Sequence, residues 1–328
     1  MLNYINLKKL TTIALLSAVA TVSCSFSKSS LSFATDVTSS VTPVSVELVL
    51  AVDVSTSINA TEFGLQHNGY INAFKSEEVK NAIKELPNGL AVTMMFWSSN
   101  RNAKVSRYDI GWYKLAKNSS GTIDGLPEFV SKLESISREV ISDENRITIG
   151  TETIVIENGT DLAHAITASK ELLDSNNYTG DNSVIDVSGD GFADDTPIDS
   201  DDIAYVDTYI SNNNLSISNY LTGRTKCNYG HIGDKVEANE VEVKHVFCPP
   251  VLEARKAAVD AGIKINGLPI VATSSNADRE DEVDRYYQNN VVGGDDAFYI
   301  TATFETFSQA ITQKISCEIQ DLNCFFAD

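Results

Sequence analysis

Residues 44–53, VSVELVLAVD, are a dense run of β-branched and aliphatic side chains ending on an aspartate. A strand this apolar along its whole length is covered on both faces, the situation of a strand inside a parallel sheet with helices above and below. Residues 183–189, SVIDVSG, form a second such run, followed at once by Asp190. Two buried strands that each deliver a carboxylate at their carboxyl end set the frame for everything between and after them.

Outward from the first strand, the polar stretch DVSTSINATEF reads as a loop, and Thr61 is placed to cap a helix carrying Phe63, Leu65, Ile71 and Phe74. A second short helix, EEVKNAIKEL, stops near Pro87, Asn88 and Gly89, and the strand LAVTMMFWS follows. Residues 105–115, VSRYDIGWYKL, alternate as a strand, and LPEFVSKLESI has helical spacing. Residues 138–158 contain RITIG and TETIVIENG and read as a short inserted hairpin. The helix DLAHAITASKELL then sets Leu162, Ile166 and Leu173 along one side. Residues 193–249, rich in Asp, Asn and Ser, break the alternation and read as a second insertion. Regular structure resumes with the helix LEARKAAVDAG, the strand IKINGLPIV, a helix around DEVDRYY, the strand AFYIT, and a last helix with Phe304, Phe307, Ile311 and Ile315 on one face. Such alternation predicts a doubly wound, mostly parallel α/β sheet with helices on both faces.

The chain has 328 residues and a formal net charge of -20, which repels nucleic-acid phosphates and anionic lipid headgroups. Its first residues, MLNYINLKKL, lead into the apolar TTIALLSAVATV, the layout of an export signal. Residues 1–34 are therefore assigned to the signal and the start of a linker, 35–43 to linker, 44–316 to the folded domain and 317–328 to a tail. Cleavage after Ala20, near Cys24 or after Ala34 is compatible with this layout. Cys24 can also be read as a lipid-anchored cysteine, although Thr21 stands where such signals usually carry Leu. No later stretch approaches the roughly 18 apolar residues of a membrane helix, so a periplasmic or extracellular location without an integral membrane segment is expected. Cys227, Cys248, Cys317 and Cys324 in an oxidising compartment suggest two disulfides, Cys227 with Cys248 and Cys317 with Cys324. The second pair requires the last helix to end or bend between its cysteines, since about 1.5 Å of rise per residue would otherwise hold them too far apart.

The chemistry concentrates where the two buried strands end. Asp53, Ser55 and Ser57 offer oxygens at alternate positions of one loop. Asn158-Gly159-Thr160 adds a hydroxyl before a helix, and Ser188-Gly189-Asp190-Gly191 adds a carboxylate. Loops at the carboxyl ends of parallel strands converge at a topological switch point. Oxygen donors select hard cations, Mg²⁺ first, with Mn²⁺ or Ca²⁺ also suited.

These residues resemble the von Willebrand factor A superfamily, whose metal-ion-dependent adhesion site uses D-x-S-x-S, a later Thr and an Asp in a turn. The matching positions are Asp53, Ser55, Ser57, Thr160 and Asp190. More narrowly, ELVLAVDVS, AVTMMFW, VIDVSGDG, AGIKINGLPI and VVGGDDAF look like the bacterial family called domain of unknown function 1194, over most of 46–315. The resemblance implies a six-stranded sheet with one antiparallel edge strand. It also implies a metal whose last coordination position is filled by a carboxylate from a partner protein, and an adhesion or envelope-assembly role without catalysis.

The alternative is a haloacid dehalogenase-like, metal-dependent phosphatase with Asp53 as nucleophile, suggested by VSGDGFADD. Ser55 stands where those enzymes carry their second aspartate, which favours adhesion. G-x-S-x-G, H-E-x-x-H and G-x-x-x-x-G-K-[ST] do not occur. His67, His164, His231 and His245 are scattered, and the acidic run from Asp190 to Asp202 reads as a solvated loop. Tyr286, Tyr287 and Trp97 read as packing residues.

Overall fold

In a computed structural model, residues 41–99, 105–141, 144–157, 159–193, 248–271 and 283–320 are described, with a few positions between 200 and 208. The central sheet follows the order β10 (Ile263–Pro269), β9 (Tyr178–Gly189), β1 (Thr42–Asp53), β2 (Leu90–Ser99), β4 (Tyr113–Lys117), β5 (Ile123–Asp124), with β3 (Val105–Asp109) also on β2. From β10 to β2 all neighbours are parallel, and β3, β4 and β5 continue antiparallel. The sheet is the mostly parallel one expected, with seven strands rather than six and an antiparallel edge made of three short pieces. The single strand expected over 105–115 is two strands, because the chain turns through Gly111 at φ 81°, a left-handed conformation that glycine adopts at little cost. On the other side, the segment around Tyr299 and Ala302 runs parallel to β10 through isolated bridges to Gly267 and Ile270.

Strand β1 is buried from Val44 to Asp53, and its side chains divide between two cores. Val46, Leu48, Leu50 and Val52 meet α1 (Ala60–Lys75), α2 (Glu77–Glu85) and α6 (Phe307–Gln320). Ala51, with Met95 and Trp97 of β2, meets α4 (Leu162–Asp174) and α5 (Pro249–Asp260). The alternation of a strand thus serves both helical layers. Glu47, in the middle of this strand, accepts from Gly180 N at 2.7 Å and Asn176 Nδ2 at 2.7 Å, so its burial leaves neither oxygen unpaired.

Helix α1 is capped two residues earlier than expected. Asn59 Oδ1 accepts from Thr61 N at 2.8 Å and Glu62 N at 3.1 Å, and Asn59 N donates to Glu62 Oε2 at 2.8 Å, closing a capping box. Leu65 faces solvent, while Gly69 lets α6 approach so closely that a Cβ there would sit 2.5 Å from Phe307. Residues 138–158 hold more than a hairpin. With Ile136 they form a three-stranded antiparallel sheet, β6 (Ile136–Ile141), β7 (Glu144–Ile149) and β8 (Glu152–Val155), which places Ile136, Ile147 and Ile149 in the core beside α3 (Leu126–Glu134).

The residues around DEVDRYY end in a π-helical turn, Tyr287–Val291. Cys317, assigned to the tail, lies on α6 and is buried, as is Cys248. Cys227, Cys324 and most of 193–249 lie outside the described residues, and with them both expected pairings. No described helix is long and apolar enough to cross a membrane.

Candidate metal centre

The loop after β1 is pinned from below. Val54 and Ile58 are buried, Ile58 N bonds back to Ser55 O at 3.1 Å, and the polar positions between them turn toward the sheet's carboxyl edge. Asp53 is fully buried, and its Oδ1 accepts from Ser55 N at 2.8 Å, an Asx-turn contact that fixes the carboxylate in line with the loop. Ser55 Oγ and Ser57 Oγ are 2.9 Å apart, and Ser57 Oγ donates to Asp190 Oδ1 at 2.8 Å. Thr160 Oγ1 lies 3.5 Å from Ser55 Oγ. The five residues named from sequence therefore meet at one place, grading from buried Asp53 and Ser55 to exposed Ser57.

Two other loops complete the cluster. The end of β2 clamps the Thr160 loop through Ser99 N to Gly159 O at 2.8 Å, and the next residue, Asp161, caps α4 through His164 N at 3.0 Å. Asp190 sits between glycines that permit close contact. A Cβ on Gly189 would meet Tyr287 Oη at 2.8 Å and Asp53 Oδ2 at 2.9 Å, and one on Gly191 would come 3.2 Å from Thr160 Oγ1. A side chain at Gly189 would displace the groups around Asp53, and one at Gly191 would crowd Thr160.

Burial first, and then the neighbouring Asp190, push the Asp53 carboxyl up to about 8, against the bonds from Ser55 and the charge of Arg138. Two neighbouring carboxyls, one of them fully buried, resist ionising together. Asp53 Oδ2 is buried without a hydrogen-bond partner, and so is Tyr287 Oη. An orphaned carboxylate oxygen inside a protein is costly, and a bound cation relieves it. Two carboxylates and three hydroxyls fit a hard divalent ion by donor type, and among the described residues no group of three or more His, Cys, Asp and Glu forms a softer alternative.

Sequence reasoning missed two contributors. Tyr287 is buried as expected, but its hydroxyl comes up behind Asp53 from the π-helical turn, a placement no local pattern announces. Arg138, at the start of the inserted sheet, stands 5.8 Å from the Phe63 ring centre, and its charge acts on Asp53, Glu62 and Asp190. Of the four histidines, His67 is buried with Nε2 2.8 Å from Leu133 O, His164 rides α4, and the other two lie outside the described residues, as does most of the acidic run after Asp190.

A family model described as "Protein of unknown function (DUF1194)" matches residues 43–138, 133–228 and 244–323. No curated protein matches the chain in sequence. Among solved structures, the pilus adhesin SpaC from Lactobacillus rhamnosus GG is similar at 14% identity and a TM-score of 0.46, over 84% of this chain and 31% of the adhesin. Proximal thread matrix protein 1 from the mussel byssus is similar at 10% identity and 0.42, over 84% and 46%, and a second structure of it has a zinc-occupied MIDAS motif. An aerotolerance-related membrane protein from Bacteroides fragilis aligns over its whole length and 84% of this chain, at 14% identity and 0.39. The chain spans less than half of the adhesin and of the byssus protein, and these likenesses concern chain path alone.

Proposed function

The chain belongs to the DUF1194 family, and from that premise and the geometry of the carboxyl-edge cluster we propose that it is an exported, non-enzymatic protein-binding module that works through one divalent cation. The observation that carries this reading is the buried, unpartnered Oδ2 of Asp53 beside the hydroxyls of Ser55, Ser57 and Thr160. Asp53, Ser55, Ser57, Thr160 and Asp190 hold the ion, with Mg²⁺ preferred and Mn²⁺ or Ca²⁺ accepted. When bound, the ion supplies a positive centre that accepts an acidic side chain of the partner.

The chain's own residues arrange the rest. Asp53 anchors from the dry end of the cluster, Ser55 holds its carboxylate in line, and Ser57 ties Asp190 to the first loop while facing solvent. With hydroxyls supplying three of the five side-chain ligands, the ion keeps much of its charge for the partner. Residues 1–34 direct export, and Cys227–Cys248 and Cys317–Cys324 close as disulfides.

Capture of partners from an envelope extract, with excess Mg²⁺ and with chelator, tests this. Binding that disappears in chelator and in Asp53→Ala supports the bridge. Binding unchanged by chelation, by Ser55→Ala and by Thr160→Ala rejects it.

A further inference from the structure

Beneath α6 four polar side chains lie in the core, one of them, Asp186, on the strand that leads to Asp190. Asp186 of β9 and Asn266 of β10 are register partners on neighbouring parallel strands. Lys314 and Glu318 are one turn apart on α6. Asp186, Asn266 and Lys314 are 0% exposed and Glu318 is 4% exposed. Lys314 Nζ is 2.7 Å from Asp186 Oδ1 and also bonds to Glu318 Oε1, and Asn266 Nδ2 donates to that same Glu318 oxygen at 3.0 Å. The other end of the amide is fixed too, because Phe298 N donates to Asn266 Oδ1 at 3.0 Å. The Phe298 ring centre lies 5.6 Å from Nζ.

A buried amine, a buried primary amide and a carboxylate touching both nitrogens form the reactant set of a transamidation. We propose that Lys314 and Asn266 condense into an intramolecular isopeptide bond that joins α6 to β10, with Glu318 as proton carrier. The Nζ ammonium gives one proton to the Glu318 carboxylate and its lone pair attacks Cγ of Asn266. The carbonyl π pair moves onto Oδ1, where the Phe298 N–H stabilises the developing charge. As the pair returns, the Cγ–Nδ2 bond breaks, and Nδ2 takes a proton through Glu318 and leaves as ammonia. Of the three ammonium protons, one stays on the new amide, one departs with ammonia and one remains on Glu318, so the net charge of the cluster is conserved. Burial, followed by the nearby Asp186, holds the Glu318 carboxyl up to about 7, which suits a group that must accept and return a proton near neutrality. Asp186 faces Nζ from the sheet and positions it.

The step needs no cation at the carboxyl-edge cluster and no oxidant. It is tested on the purified, folded, exported chain, reduced and denatured for mass spectrometry. The expected result is an intact mass lower by one ammonia than the processed sequence, and a branched peptide containing both Asn266 and Lys314. Lys314→Arg and Asn266→Ala are expected at the full, unmodified mass, and Glu318→Gln at the unmodified mass with the fold retained by circular dichroism. A wild-type chain at the unmodified mass overturns the proposal whether or not the variants fold. So does ammonia loss mapped to any other residue pair, and complete linkage in Glu318→Gln removes Glu318 as carrier.

Discussion

Two pairs of acids sit on this sheet, all buried except the half-buried Asp190, and they differ in where their compensating charge comes from. Asp53 and Asp190 lie at the carboxyl edge, where Ser55, Ser57 and Thr160 supply neutral oxygens and Arg138 exerts a weaker pull than burial and Asp190 exert against it. Asp186 and Glu318 lie under α6 and share the ammonium of Lys314. The first pair is short of positive charge and open toward solvent at Ser57, so a cation from outside can satisfy it. The second carries its own cation and is closed. A buried acid is therefore no marker of a ligand site by itself. The deciding features are an orphaned oxygen and a route to solvent.

The comparison breaks most visibly at Lys314. In an Asn266→Ala background, which cannot condense and so keeps the Lys314 ammonium, Lys314→Met leaves Asp186 and Glu318 buried without their cation and is expected to cost about 3–5 kcal/mol of stability by urea unfolding. A neutral result would mean that the second pair does not depend on its internal charge. At the first pair the effect is set by added metal. At about 100 times its dissociation constant, Mg²⁺ is expected to stabilise the fold by about 2.7 kcal/mol, read as a rise in melting temperature. Asp53→Ala and Asp190→Ala should each abolish most of that rise, whereas Lys314→Met, where it folds, should keep it.

A pH series sharpens the contrast further. Asp53 and Glu318 both have carboxyls raised by burial, to about 8 and about 7 from 3.8 and 4.5. For a raised carboxyl the folded state holds its proton more tightly than the unfolded chain does, so its stabilising contribution is present at low pH and is lost as pH rises through the folded value. In chelator, stability should therefore fall between about pH 4 and about pH 8. Excess Mg²⁺ should remove the part due to Asp53 and leave the part due to Glu318. A pH profile identical with and without Mg²⁺ would place the ion elsewhere. The smallest effect is expected at Tyr287→Phe. Removing a buried hydroxyl that lacks a partner should raise metal-free stability by up to about 1 kcal/mol in thermal unfolding. A loss of that size would mean the hydroxyl is hydrogen-bonded in solution.

The asymmetry between the two clusters also explains what could be read from sequence. Strands β1, β2 and β10 and the buried second half of β9 were legible because both their faces are covered, which leaves an apolar run too dense to be a surface strand, while the exposed first half of β9 was not. Asp53, Ser55, Ser57, Thr160 and Asp190 were legible because each stands in a loop next to such a strand or at a helix start, where polar residues that exceed capping needs are conspicuous. Lys314 and Glu318 were not, because charged residues on an amphipathic helix read as its wet face, and only α6 lying flat on the sheet turns them inward. Asp186 hid inside the run that identified β9. Tyr287 was recognised as a packing residue, but the direction of its hydroxyl depends on the π-helical turn, and Arg138 depends on how the inserted sheet leans toward the loop. Such placements are tertiary and leave no periodic trace.

The parallel register of β1 with β9 also bears on how the chain folds. Ser57 and Asp190 touch across 133 positions of sequence. Parallel pairing of such distant segments requires a large loop to close before any contact rewards it, which slows the search for the native topology. The first loop can form its Asx turn and capping box locally, as soon as residues 53–62 are together. Its counterpart arrives only when β9 docks, so a refolding experiment followed by metal-dependent fluorescence should find cation affinity emerging with the slowest phase, after most helical signal has returned.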